Sequence, residues 1–337
     1  MSNETKEKEN NILKLVLLSM KTFPGVTTVM RNMVAVANDP QIVFHIIEDD
    51  DLNNIHRDFF DAERVIIGGW NPKLYPTLCR RRNNVSVLLC SSLGQMELSR
   101  VEPQFLNQII ALKSANHVDS VIFGSPEVYM AYYYVVEDIE LMTYPIDMNE
   151  FRDYDYSKKS FSDIGLFLPA HGRKNFMNQI YGTILADLKL REDKKLTSIT
   201  LKTNQDVSAQ IIKIDKLGWM ERNKYLKTLK KIKLGLHVTF TESFGYAAMD
   251  YLLLGVPVLV STTVSTNLKL PMGLNQHLLV LNHDSAREIA NKIVAIVDMD
   301  EEEYKHLSMS CRVHARNLAT QMNTEFLQWL SHFLSNK

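Results

Sequence analysis

Short β-branched apolar runs alternate with amphipathic stretches along most of this chain, and the alternation occurs twice. ILKLVLLS (12–19), QIVFHII (41–47), ERVIIGG (63–69), VSVLLC (85–90) and SVIFG (120–124) have the length and composition of buried strands. Between them, VTTVMRNMVAVAN (26–38) and PQFLNQIIALKSA (103–115) repeat apolar residues every three or four positions, the spacing of a helix with one buried face. Strand, helix, strand in this order predicts a parallel sheet with helices on both faces. The pattern starts again with DIGLFLP (163–169), a helix over 175–190, SITLKT (198–203), a short strand near 211–216 and a helix over 221–231. It continues with LGLHVTF (234–240), a helix over 245–254 and VPVLVS (256–261), and three helical segments follow at 285–297, 301–319 and 324–334. The expected fold class is α/β: two Rossmann-like, doubly wound domains facing each other across a cleft, with a helical C-terminus. A polar, flexible arm is expected over 1–11, a first domain over 12–150 and a second over 151–320. A C-terminal helix over 321–337 can pack back on the first domain. The joint falls near 144–156, where a proline, acids and aromatics replace the periodic pattern.

Composition narrows the choice of function. With 337 residues, 45% hydrophobic and 23% charged, the chain has the balance of a soluble globular protein of about two domains. No apolar run approaches the roughly 18–20 residues needed to cross a bilayer, so no transmembrane segment is expected. The N-terminal MSNETKEKENN lacks the apolar core of a secretory signal, which predicts a cytoplasmic protein. Cys79, Cys90 and Cys311 are odd in number and far apart, against both a disulfide framework and a zinc cluster. Residues 1–150 hold 13 Lys and Arg against 20 Asp and Glu, a net of −7, so the remainder holds 25 against 19, a net of +6. A basic half suits a phosphorylated ligand, while an acidic half repels nucleic acid and anionic lipid. The signatures of P-loop kinases, classical dehydrogenases, zincins and serine hydrolases are missing. Phe123-Gly124-Ser125-Pro126 imitates a nucleophile turn, but its proline and missing second glycine make it a strand-end turn.

The most informative stretch is VTFTESFGYAAMDYLLLGVPVLVS (238–261). A strand ends near Phe240, a tight turn runs over Thr241 to Gly245, and a helix then extends to Gly255, with Pro257 opening the next strand. Free backbone N–H groups at such a helix start attract anions, and the small Ser243 and Gly245 let a phosphate or sugar approach. Glu242 and Asp250 lie eight residues apart, one at the start of the helix and one about two turns along it. Two carboxylates placed so can hold hydroxyls at separate points of one long polar ligand. The alternative is a capping acid and an unrelated surface Asp.

This segment resembles the E-x7-E region of retaining GT-B glycosyltransferases, in particular glycosyltransferase family 4, with its E-S-F-G and G-x-P-V elements. YPIDMNEF (144–151) resembles the family's interdomain segment, HGRKNF (171–176) its basic loop after the first strand of the donor domain, and LGWMERNKYLKTLKKIKLGLHVTF (217–240) the approach to the motif. FPGVTTV (23–29) falls where the family carries a glycine-rich loop. The resemblance implies a nucleotide diphosphate sugar as co-substrate bound by the C-terminal domain, a hydroxyl-bearing acceptor bound by the N-terminal one, and no metal or other cofactor.

Carried over by position, the resemblance implies that Glu242 faces the donor sugar hydroxyls and that the amides around Phe244 and Gly245 hold the sugar and distal phosphate. Asp250 takes the place of a ribose-binding glutamate, one methylene shorter. Lys174 matches the diphosphate-binding lysine. The family's companion arginine would lie near Leu166 to Leu168, where this chain is apolar, and Arg173 or His171 can supply that charge. Gly25 would line the cleft, and Trp219 and Met220 would lie near the nucleobase, with a core tryptophan as the alternative for Trp219. Many relatives carry a histidine after the fourth strand. Here SSLGQMELSR (91–100) has none, leaving Ser92 or Gln95 as sugar contacts, or Ser91 as a helix cap, with His45, His117 and His171 as other substitutes.

The implied activity is transfer of a hexose to a hydroxyl with retention of configuration, by front-face attack. Two other readings remain open. One is glycosylation of a nucleic-acid base by a phage-type enzyme of this architecture, hinted at by Arg80-Arg81-Arg82 and opposed by the acidic N-terminal half. The other is a nucleotide-sugar-binding protein without catalysis, consistent with Asp250 and the absent arginine and histidine.

Overall fold

The structure is a computed structural model that describes residues 13–21, 24–47, 58–78, 80–81, 84–92, 95, 102–134, 136–152, 163–170, 172–193, 199–207 and 211–335. The expected arm over 1–11 and His171 lie outside these residues. The chain divides into two compact units, Met1–Asp147 with Gln321–Lys337, and Met148–Thr320.

In the first unit the chain runs through β1 (Leu15–Met20), α1 (Pro24–Ala37), β2 (Ile42–Ile47), β3 (Arg64–Gly68), β4 (Val85–Leu89), α2 (Glu102–Ser114), β5 (Ser120–Phe123), α3 (Pro126–Tyr132) and β6 (Ile139–Leu141). The sheet order is β2-β1-β3-β4-β5-β6, parallel throughout. Every residue of β1 is buried, because the strand is paired on both edges and covered on both faces, and its one polar residue, Ser19, meets the Thr27 hydroxyl at 3.2 Å. Val16, Leu18, Val65, Ile67, Val87 and Val121 from the strands join Leu106 and Ile109 of α2 in one core cluster. Pro24 opens α1, where its missing N–H costs nothing, so the helix begins two residues before the expected Val26.

The second unit holds β7 (Asp163–Leu166), α4 (Phe176–Glu192), β8 (Thr200–Thr203), β9 (Lys213–Lys216), α5 (Arg222–Leu229), β10 (Leu234–His237) and α6 (Tyr246–Leu253). After these come β11 (Val258–Ser261), α7 (Thr262–Asn267), α8 (Met272–Leu278), β12 (Leu279–Val280), α9 (Ala286–Val297) and α10 (Glu301–Ser335). Its sheet order is β12-β11-β10-β7-β8-β9, again parallel. Both units are thus Rossmann-like and doubly wound, as the alternating pattern predicts.

The differences lie in short pieces. The strand β6, the helices α3, α7 and α8, and single helical turns at Asp58–Asp61 and Tyr75–Leu78 are absent from the sequence expectation; most are too short to develop a periodicity. Phe123 to Pro126 is a strand end followed by a helix start, with Ser125 at the N-cap position and Pro126 in the first turn. The two C-terminal helices expected over 301–319 and 324–334 are one continuous helix, α10, with no glycine or proline to break it. No helix among the described residues is long and apolar enough to cross a membrane.

Candidate functional site

From β7 the second unit winds outward through β8 and β9, then returns to place β10 on the opposite edge of β7. This is the 3-2-1-4-5-6 strand order of dinucleotide-binding folds, and its order reverses between the first and fourth strands, here β7 and β10. Loops leaving the carboxyl ends of two such strands diverge, and the crevice they leave is where open α/β sheets bind ligands.

The loop after β7 closes in a 3-10 turn, Gly172–Lys174, and the loop after β10 runs from Val238 to Gly245. A single buried amide joins them. Gln179 of α4 accepts from Val238 N–H at 2.9 Å through Oε1 and donates through Nε2 to the carbonyls of Lys174 at 2.9 Å and Asn175 at 3.2 Å. Phe240 N–H donates to the Arg173 carbonyl at 3.0 Å. From α7, Asn267 Nδ2 donates to the carbonyls of Glu242 and Ser243, at 3.2 Å each. Gly245 is the N-cap residue of α6 with φ 98°, a conformation that a side chain disfavours.

These constraints bring Lys174 and Glu242, 68 residues apart in sequence, into an ion pair whose side chains are only 8% and 12% exposed. Glu242 Oε2 accepts from Lys174 Nζ and also meets His237 Nε2 at 3.1 Å. Oε1 has no partner among the described residues. Burial by itself would raise the Glu242 carboxyl, but the His237 hydrogen bond and the Lys174 charge hold it well below the usual carboxylate range. Burial pulls the Lys174 ammonium down, only partly offset by Glu242, and Arg173 adds to the lowering. His237 is lowered by burial as well, with Lys174 and Arg173 acting in the same direction and Glu242 against it. Two buried nitrogens here, Arg173 Nη1 and His237 Nδ1, have no hydrogen-bond partner among the described residues. Two cations against one carboxylate and a neutral imidazole make a buried site of net positive charge. Such a site can attract an anion.

Asp250 belongs to a second constellation on the same unit. It is buried on α6, and both its oxygens accept from the Arg222 guanidinium, Oδ2 from Nη1 at 2.5 Å and Oδ1 from Nη2 at 2.7 Å. Arg222 also donates to Glu150 Oε2, from Nη2 at 2.7 Å and Nε at 2.9 Å, and lies over the rings of Phe151 and Tyr225. Burial pushes the Asp250 carboxyl up while Arg222 pulls it down. The reading of Asp250 as a surface residue is therefore corrected. Glu242 lies in the turn before α6, which starts at Tyr246, as the expected turn over Thr241 to Gly245 places it.

The remaining sequence candidates fall as follows. Trp219 is 81% exposed, which corrects the reading of a core tryptophan, and it sits after β9 beside Gly218. Met220 is half-buried, its sulfur 3.6 Å from Thr228 Oγ1. Phe244 is buried and Ser243 half-buried. In the first unit, Gly25 is an exposed first-turn residue of α1, with nothing within 4 Å of where a Cβ would stand. Ser92 Oγ accepts from Gln95 N–H at 3.3 Å, the contact of a helix cap, at the position after the Ser91 named for that role. His45 meets Asp58 at 3.1 Å. Sequence reasoning passed over His237, Arg222, Glu150, Gln179 and Asn267. His237 alone carries a mark in the sequence, a polar residue inside the apolar strand LGLHV. Among the described residues, no group of three His, Cys, Asp or Glu side chains could hold a metal ion.

Over 95% of its length the chain superposes on the whole of the Anabaena protein HepE, solved with UDP and glucose, at a TM-score of 0.68 and 13% identity. The fold is GT-B. An E. coli trehalose-6-phosphate protein bound with UDP-2-fluoro glucose covers 96% of the chain with 99% of its own, at a TM-score of 0.64 and 10% identity. A variant of S. aureus TarM in complex with UDP and alpha-GlcNAc-glycerol matches 81% of the chain over 55% of its own, at a TM-score of 0.59 and 14% identity. No protein-family model matches the sequence, and no curated protein does.

Proposed function

We propose that this chain is a retaining, metal-independent glycosyltransferase, similar to glycosyltransferase family 4, that moves a hexose from a nucleotide diphosphate sugar to a hydroxyl acceptor on a glycan, small molecule or protein. The observation that carries this reading is the buried Lys174–Glu242–His237 cluster with Arg173 beside it, at the strand-order reversal of a GT-B fold. Lys174 and Arg173 stabilise the charge that develops on the departing diphosphate, the task that a clamp of cationic groups performs in phosphate chemistry. The amides of Phe244 and Gly245, at the start of α6, add partial positive charge. Glu242 Oε1 accepts from a sugar hydroxyl and fixes the ring. The acceptor attacks from the face of the leaving group, whose phosphate oxygen takes the acceptor proton. Uridine is the first nucleoside to test, because GT-B relatives were solved with UDP or UDP-2-fluoro glucose. Ser92 and Gln95 remain candidates on the acceptor side, Gly25 near the donor phosphates, and Trp219 and Met220 beside the base.

A second reading, a nucleotide-sugar binder without catalysis, is favoured by the Arg222 guanidinium on Asp250 and the helix-cap contact of Ser92. Of the Arg80-Arg81-Arg82 run behind the nucleic-acid reading, the buried Arg81 guanidinium donates to the carbonyls of Phe59 and Ala62, Arg80 is exposed, and Arg82 lies outside the described residues. Incubation with UDP-glucose and a panel of hydroxyl acceptors separates the first two. Transfer, or slow release of glucose, supports the enzyme; tight binding with neither supports the binder. Lys174→Ala is expected to raise the UDP-glucose Kd about tenfold or more, the worth of a charge-assisted contact. An unchanged Kd removes Lys174 from the site. Glu242→Ala is expected to weaken UDP-glucose more than UDP, because its partner is on the sugar.

A further inference from the structure

His237 ends β10 with its ring 2% exposed, and it shares a single carboxylate oxygen with Lys174. An ionised carboxylate only accepts, so Nε2 carries the hydrogen, and a neutral ring leaves Nδ1 bare. That Nδ1 is buried and has no hydrogen-bond partner among the described residues. The charged groups acting on the ring are Glu242 and Lys174, Arg173 of the turn after β7, and Asp250 of α6. With Lys174 and Arg173 near and the ring dry, neutral imidazole is the favoured form. A sugar nucleotide changes both halves of this arrangement. Its diphosphate adds about two negative charges beside the cations, and a lysine that turns to a phosphate leaves Glu242 with His237 as its remaining donor.

We infer that His237 is the positioning residue of the donor site: when a sugar nucleotide draws Lys174 away from Glu242, His237 keeps the carboxylate in place and takes up one proton from solvent at Nδ1. Donor loading is then coupled to proton uptake, and binding strengthens as pH falls through the range in which the loaded ring protonates and the empty one does not. This rests on the donor reading of the preceding section.

The test is calorimetric titration with UDP-glucose near pH 6.5 in two buffers of different ionisation enthalpy. UDP-glucose is used because its diphosphate, esterified at both ends, does not itself titrate near neutrality. The expected result is uptake of about half a proton or more per ligand bound. His237→Gln keeps a donor within reach of Glu242 and cannot titrate, so it should bind without uptake. His237→Leu should bind roughly tenfold more weakly than His237→Gln, for want of that donor. No uptake by the wild-type protein, the same uptake by His237→Gln, or equal affinity of the two variants overturns the inference and leaves the donor reading standing. Should neither variant fold, the His237 ring proton in the wild-type protein, followed by NMR as UDP-glucose is added, decides the matter. A shift to the imidazolium position supports the inference, and an unmoved resonance overturns it. Absence of binding by UDP-, GDP- and ADP-glucose alike overturns the donor reading, and the inference with it.

Discussion

Asp250 has both carboxylate oxygens on Arg222, whereas Arg222 has a second carboxylate, Glu150, on its other side. The two partners are therefore unequal in what their removal leaves behind. Arg222→Leu strands a buried carboxylate without a cation and is expected to cost about 3 kcal/mol or more. Asp250→Asn leaves a third-exposed guanidinium still paired with Glu150 and is expected to cost about 1 kcal/mol. Urea unfolding of the two variants checks the order, and an equal loss would show that the pair is not held as described. Sequence alone could single out Glu242, Lys174 and Asp250 as polar residues in an informative pattern. It could not show that Lys174 and Glu242 hold each other across 68 residues, or that Asp250 has a guanidinium partner. Those are pairings across the fold, and Arg222 sits in a run of charged residues with nothing to mark it out. His237 was findable, because a histidine inside a strand buried on both faces needs a partner.

At the scale of elements, α6 lies close on β7 and β10 because glycines face Tyr251. A Cβ added at Gly235 would stand 2.8 Å from the Tyr251 ring carbons, and one at Gly165 would stand 2.5 Å from its hydroxyl. Tyr251 is itself only 1% exposed and has little room to move. Gly235→Ala is thus expected to destabilise by roughly 1–3 kcal/mol through overpacking. Gly25→Ala, in the open first turn of α1, should be neutral or stabilise by up to about 1 kcal/mol. Thermal denaturation of the pair tests the contrast, and a harmless Gly235→Ala would mean that α6 can lift from the sheet. This close fit had no counterpart in the sequence pattern, which located the strands and long helices by their period but not their mutual distance.

At the scale of the whole molecule, α10 serves both units, its residues up to Thr320 counting with the second and those from Gln321 with the first. Its buried positions, Tyr304, Leu307, Cys311, Ala315, Leu318, Met322, Phe326, Leu330 and Phe333, recur every three or four residues without interruption. The polar Thr320, Gln321, Asn323 and Thr324 conceal that stripe in the sequence. Asn323 instead holds the backbone of Ile146 from both sides, accepting its N–H at 2.8 Å and donating to its carbonyl at 2.9 Å. Asn323→Ala leaves both groups of a buried residue unpaired and is expected to cost about 1–3 kcal/mol, visible as a lowered Tm. The titrating groups of the second unit set a further property of the folded molecule. Glu242 is depressed in the folded state, so the stability it contributes is present above its unfolded value near 4.5 and is lost as pH falls through the folded one. His237 is also depressed, from 6.5, so the unfolded chain binds more protons just below that pH and stability falls there too. Both act with the same sign in separate windows. In the absence of ligand, Tm should decline in two stages on acidification, the first beginning near pH 6.5 and the second below about 4.5. His237→Gln should flatten the first stage relative to the wild-type protein and leave the second, because the glutamine cannot take a proton while Glu242 still can. If the two proteins instead lose Tm in parallel between pH 6.5 and 5, the ring of His237 is not what the folded state keeps neutral.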